Sequence, residues 1–132
     1  IVTSLSTKKP NKNRKLDKIK YLYCDISKKK NLKKKLNKNF DYVVNLGGHV
    51  EHSLKTKTFL SHYNGAKNLA DLFIKTKIKS FIQIGSSAEY GALNSPHKEI
   101  NITNPKSYYG KAKCMATNYL MKLNKKKKIS LY

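Results

Sequence analysis

Arginine is nearly absent from this chain. Arg14 is the single arginine among 29 basic residues, set against seven acidic ones and a formal net charge of +22. Such charge invites a nucleic-acid reading, because basic surfaces attract phosphate backbones whatever their sequence. Base readers, however, lean on the planar arginine fork for bidentate and stacking contacts. The lysines are spread along the chain among asparagines and isoleucines, so solvated lysine faces are expected and a nucleic-acid partner is not. No run of about 18 apolar residues exists, which excludes a membrane-spanning helix. Ile1–Ser6 is too short and lacks the basic flank of a signal peptide. Cys24 and Cys114 stand far apart without a Cys-x-x-Cys, so reduced thiols in a cytoplasmic protein are expected. His49, His52, His62 and His97 show no ligand spacing with acidic partners. They read as surface or packing residues, and no metal site is expected.

What is present is an alternation of apolar strands and helical stripes. With 132 residues there is room for one domain with a moderate core. Short strands are expected at Val2–Leu5 and Tyr21–Tyr23, separated by a lysine-rich loop over Thr7–Lys20. Ser27 is the expected N-cap of a helix reaching Leu36, with Leu32 and Leu36 facing inward. Tyr42–Leu46 is an apolar run closed by Gly47-Gly48, as in a strand buried on both faces. From Thr58 to Lys75, Phe59, Tyr63, Ala66, Ala70 and Phe73 give one apolar stripe. Phe81–Ile84 is the next strand and delivers Ser86 at its carboxyl end, followed by a polar loop over Ala92–Thr103. Asn104 is the expected cap and Pro105 the first position of a last helix. Its stripe comprises Ala112, Met115, Ala116, Tyr119, Leu120 and Leu123. Ile129–Tyr132 reads as one more strand. Strands alternating with helices indicate a parallel α/β sheet, whose functional residues belong at the strand carboxyl ends.

One constellation carries chemistry. Tyr109 and Lys113, at i and i+4, share a helical face one turn apart. A cation beside a phenol favours the phenolate, and such a tyrosine can exchange a proton with a hydroxyl or carbonyl. Tyr108 is set aside because its i+4 partner is Ala112. Ser86 could hold the same oxygen. These residues point to an oxidoreductase-type site for sugar-like alcohols and ketones. Glu89 and Glu99 read as structural rather than acid/base groups.

Four elements in this order resemble the NAD-dependent epimerase/dehydratase branch of the extended short-chain dehydrogenase/reductases. They are Cys24-Asp25-Ile26, Asn45-Leu46-Gly47-Gly48, Ser86-Ser87-Ala88-Glu89-Tyr90-Gly91 and Tyr109-Gly110-Lys111-Ala112-Lys113. The resemblance implies a Rossmann-like doubly wound parallel sheet acting on nucleotide sugars. It implies Tyr109 as general acid/base, Lys113 as the holder of the nicotinamide ribose, and Ser86 as the binder of the reacting oxygen. Ser86 is preferred to Ser87 because the family's hydroxyl stands four residues before the tyrosine of its Tyr-Gly pair. Asp25 and Ile26 would lie by the adenine, and Leu46, Gly47 and Gly48 would line the dinucleotide.

The departures are as informative. The family's glycine-rich phosphate-binding turn and first strand are missing, as is the carboxyl-terminal substrate region, so the sheet is expected to be incomplete and the chain an inactive internal fragment. The acidic pair of 4,6-dehydratases is replaced by Ser87 and Ala88, which favours an epimerase or ketosugar reductase. His62 stands where the family often has asparagine, three residues before Gly65. The cofactor is NAD or NADP. Ser4–Lys9 lacks the acid expected for NAD and offers hydroxyls and lysines instead, a slight lean to NADP. A homodimer is expected of the full-length protein. A non-catalytic dinucleotide sensor and a basic nucleic-acid binder are the alternatives.

Overall fold

In the computed structural model, which describes residues 2–36 and 39–127, four parallel strands form two separate pairs. β1 (Val2–Ser6) pairs with β2 (Ile19–Tyr23), and β3 (Tyr42–Asn45) pairs with β4 (Ser80–Gln83). Parallel neighbours need crossover connections, and helices supply them. α1 (Lys29–Lys35) follows β2. A longer helix follows β3, built from α2 (Lys55–Phe59), a π segment (Leu60–Asn64) and α3 (Gly65–Phe73). α4 (Tyr108–Lys127) follows β4. The expected strand at Ile129–Tyr132 lies outside the described residues.

The core joins β-strands to α1, α3 and α4 through Cys24, Leu32, Leu36, Leu69, Ala70, Phe73, Phe81 and Leu120. Phe40 meets Phe73 edge to face at 5.6 Å between ring centroids. Both cysteines are free and buried. Burial, and then the neighbouring Asp25, push the Cys24 thiol up, which leaves it unreactive. One polar knot spans the helices: Asp71 accepts from Lys29 (3.2 Å), Lys67 (2.8 Å) and the Tyr119 hydroxyl. Tyr119 therefore has a polar partner as well as an apolar one.

Several expectations are corrected. Ser27 does not cap α1, because its backbone N–H and hydroxyl both bond the Asp25 carboxylate and the helix begins two residues later. α4 begins after Ser107, whose hydroxyl accepts from the Gly110 N–H at 3.0 Å, while the Asn104 N–H is spent on the Glu89 carbonyl. The helix after β3 begins earlier than Thr58, and its buried side is Thr58, His62, Gly65, Ala66, Leu69, Ala70 and Phe73. Phe59 and Tyr63 are only half-buried. Met115 is exposed on α4, while the expected Ala112, Ala116 and Leu120 are buried and are joined by Gly110, Lys113 and Cys114.

β3 is not buried on both faces. Tyr42, Val44 and Leu46 are exposed while Asn45 is buried. The reason is a slot of about 510 Å³ between the strand pairs, walled by Val2–Leu5 of β1 and Tyr42–Gly47 of β3 and its continuation. Among the described residues no strand bridges the two pairs.

Candidate functional site

The first two turns of α4 present Tyr109 and Lys113 on one side, as their spacing requires. Lys113 is only 5% exposed, and its Nζ donates to the Ile84 carbonyl just past β4. Burial lowers the lysine pKa, and the nearby Glu89 carboxylate partly offsets this. Glu89 is itself buried: its Oε1 accepts from the Ser86 N–H at 2.9 Å, and the Ser86 hydroxyl accepts from the Ala88 N–H at 3.2 Å. This reciprocal capping box fixes the short 3₁₀ turn Ser87–Glu89. The turn lies directly on α4 because Gly110 has no side chain. A Cβ there would stand 2.4 Å from the Ala88 carbonyl oxygen.

Tyr109 and Lys113 line a cavity of about 340 Å³ whose other wall is Asn45–Val50 with His52, His62 and Ile84. The expected cofactor residues Leu46, Gly47 and Gly48 are thus brought to the tyrosine. Asn45 shapes that wall: it donates to Gln83 at 2.7 Å and accepts from the Gly47 N–H at 3.1 Å. Ser86 is half-buried two residues beyond Ile84 and does not line this cavity.

Two residues that the sequence marked as ordinary lie against Tyr109. His52 stacks on the phenol at 4.1 Å and 15°, and His62 meets it edge-on at 4.9 Å and 81°. His62 is 7% exposed and sits in the π segment, a local widening common at functional sites. A carbonyl can only accept, so the 3.1 Å contact of Nε2 with the His49 carbonyl places the proton on Nε2. Burial lowers the His62 pKa, the His49 carbonyl opposes this, and Lys113, His52 and His49 lower it further. The signal available in sequence was the histidine at a position where asparagine was expected.

Asp25 and Ile26 stand apart from that cavity. The Asp25 carboxylate holds Ser27, at 2.9 Å to N–H and 2.7 Å to Oγ. The Ile26 side chain packs over Gly47 and Gly65, and Asn68 ties the Ile26 and Ser27 carbonyls to α3. A second opening of about 510 Å³, beyond β1, is lined by Ser4, Ser6, Lys8, Lys9 and Arg14 among others. Arg14 was not expected there. Among the described residues no cluster of histidine, cysteine and acidic groups could hold a metal, and no helix is long and apolar enough to cross a membrane.

Solved structures share this architecture. UDP-glucose 4-epimerase from Thermotoga maritima superposes with a TM-score of 0.88 at 18% identity, over 98% of this chain and 45% of its own. A mutated uronate dehydrogenase gives 0.83 at 19% identity, over 98% and 47%. The Bordetella bronchiseptica enzyme WbmG, in complex with NAD and UDP, gives 0.78 at 16% identity, over 90% and 40%. At such identities the likeness shows the Rossmann-like α/β fold, and the chain spans less than half of each neighbour. No match was found among curated proteins. The profile of the NAD dependent epimerase/dehydratase family matches residues 1–131, so nearly the whole length is covered and the chain belongs to that family.

Proposed function

We propose that the chain carries the catalytic centre of an NAD(P)-dependent nucleotide-sugar epimerase or ketosugar reductase. One observation carries the reading: Tyr109 and the buried Lys113 share a cavity with the Leu46–Gly48 turn at the carboxyl end of β3. That is where ligands of open parallel sheets bind. The cavity fits a nicotinamide riboside edge, since a buried ammonium and glycine backbone face the same space. The cofactor, when bound, supplies hydride transfer at a sugar carbon. Tyr109 moves the matching proton to or from the sugar oxygen. Lys113, steered by the Ile84 carbonyl, holds the ribose hydroxyls. The Ser86 oxygen already accepts from Ala88, which leaves its O–H free to donate to the reacting oxygen.

Leu46, Gly47 and Gly48 would line the dinucleotide, and Asp25 and Ile26 would lie by its adenine. The opening bounded by Ser4, Ser6, Lys8, Lys9 and Arg14 supports NADP, because hydroxyls and an arginine fork suit a 2′-phosphate. WbmG, held with NAD and UDP, supports a nucleotide-sugar substrate. The 132 residues contain no glycine-rich phosphate-binding turn, so alone they form one partial cofactor domain without turnover.

In the full-length protein, Tyr109→Phe should lower turnover by about 10²–10⁴-fold, the range of a lost general acid/base. Unchanged turnover with intact folding overturns the mechanism. Isothermal titration should show NADP binding more tightly than NAD, with Arg14→Ala removing the difference. Equal affinities in the parent protein would reverse the cofactor assignment.

A further inference from the structure

We infer that His62 is a positioning residue for Tyr109, and that position 48 is glycine because the His62 imidazole fills the space of its Cβ. A Cβ built at Gly48 would lie 2.1 Å from His62 Cε1 and 2.7 Å from Nδ1. No tolerable contact is that short, and the ring cannot retreat. Its Nε2–H is bonded to the His49 carbonyl, and it meets the Tyr109 ring nearly at right angles with the centroids 4.9 Å apart. Among the described residues Nδ1 is buried without a partner, so the ring gains nothing polar on the Gly48 side and is held there by shape. His52 closes the opposite arrangement by stacking on the phenol at 4.1 Å. Gly48, His62 and Tyr109 thus form a chain of contacts in which the glycine admits the imidazole and the imidazole fixes the phenol ring. His62 acts through Tyr109 and need not touch substrate.

The inference builds on the reading of Tyr109 as the proton-transfer group, but its test needs no turnover. Thermal unfolding of the full-length protein is compared for Gly48→Ala, His62→Asn and the double variant. Gly48→Ala should lower Tm by several degrees, and adding His62→Asn should restore most of that loss, because asparagine vacates the space. Additive losses overturn the pairing. If Gly48→Ala does not fold, a folded double variant supports it and an unfolded one overturns it. The positioning role is read from ¹³C-tyrosine spectra, with the Tyr109 signal assigned by its absence in Tyr109→Phe. His62→Asn, or His62→Gln if the first is unfolded, should move the Tyr109 ring signal and leave the remaining tyrosine signals in place. A Tyr109 signal that stays put, or a general shift of all tyrosines, overturns it. A failed Tyr109→Phe turnover test would leave these readouts untouched, so the two ideas fail separately.

Discussion

His62 sets a pH dependence at the scale of one side chain. Its imidazole is buried and its pKa in the fold lies below the ordinary 6.5, chiefly through burial, with Lys113, His52 and His49 adding to the effect. Below that ordinary value the unfolded chain therefore binds more protons than the folded one. Stability is complete above about pH 6.5 and falls as the pH drops through the window beneath it. One proton limits the slope to about 1.4 kcal/mol per pH unit. Denaturant titrations between pH 5 and 7.5 should show this slope in the parent and its loss in His62→Asn. An identical slope in both would sink the assignment. The sequence made Tyr109 and Lys113 legible because one helical turn relates them. It could not show that His52 and His62 enclose the same phenol. They come from the loop after β3 and from the π segment, and no spacing rule connects either to α4.

At the scale of elements, the meeting of the Ser87–Glu89 turn with α4 hangs on Gly110. In an exposed helix, alanine for glycine is favourable by about 1 kcal/mol. Here the new Cβ would stand 2.4 Å from the Ala88 carbonyl oxygen, and 3.2 Å from the Pro105 side chain. The first obstacle is backbone, already fixed by the Ser86–Glu89 capping box, so it cannot swing aside. Overpacking of this kind costs roughly 1–3 kcal/mol and outweighs the propensity gain. Gly110→Ala should therefore destabilise the protein in urea and, by lifting the turn, weaken the site that includes Ser86. A stabilised variant would show that the two elements are not in contact. Element type was readable from period and composition, since β1 to β4, α1, α3 and α4 overlap the expected stretches, whereas β2 begins two residues inside the expected loop and most of α2 precedes Thr58. Their starts were misread where side chains chose local partners. Ser27 is taken by Asp25, and Ser107 displaces Asn104 as the cap of α4.

For the whole molecule, the decisive feature is the slot between the two strand pairs. Val44 is 53% exposed there and Leu46 75%, although the run Tyr42–Leu46 has the composition of a strand covered on both faces. The sequence stated the preference, and the described residues leave it unmet, which is why periodicity misjudged this burial. An apolar slot walled by β1 and β3 favours a further strand, which would bond both free edges and cover Val44. Burying a valine contributes about 1.5–3 kcal/mol, and burying an unpaired charge in its place costs more. Val44→Asp should thus be nearly neutral in residues 1–132 alone, where water reaches the side chain. In a longer chain whose additional sequence fills the slot, the same change should cost more than about 2 kcal/mol. Urea midpoints measured on both lengths decide the matter. Equal losses in the two would mean that the slot closes by the approach of its own walls, and that the strand pairs belong side by side.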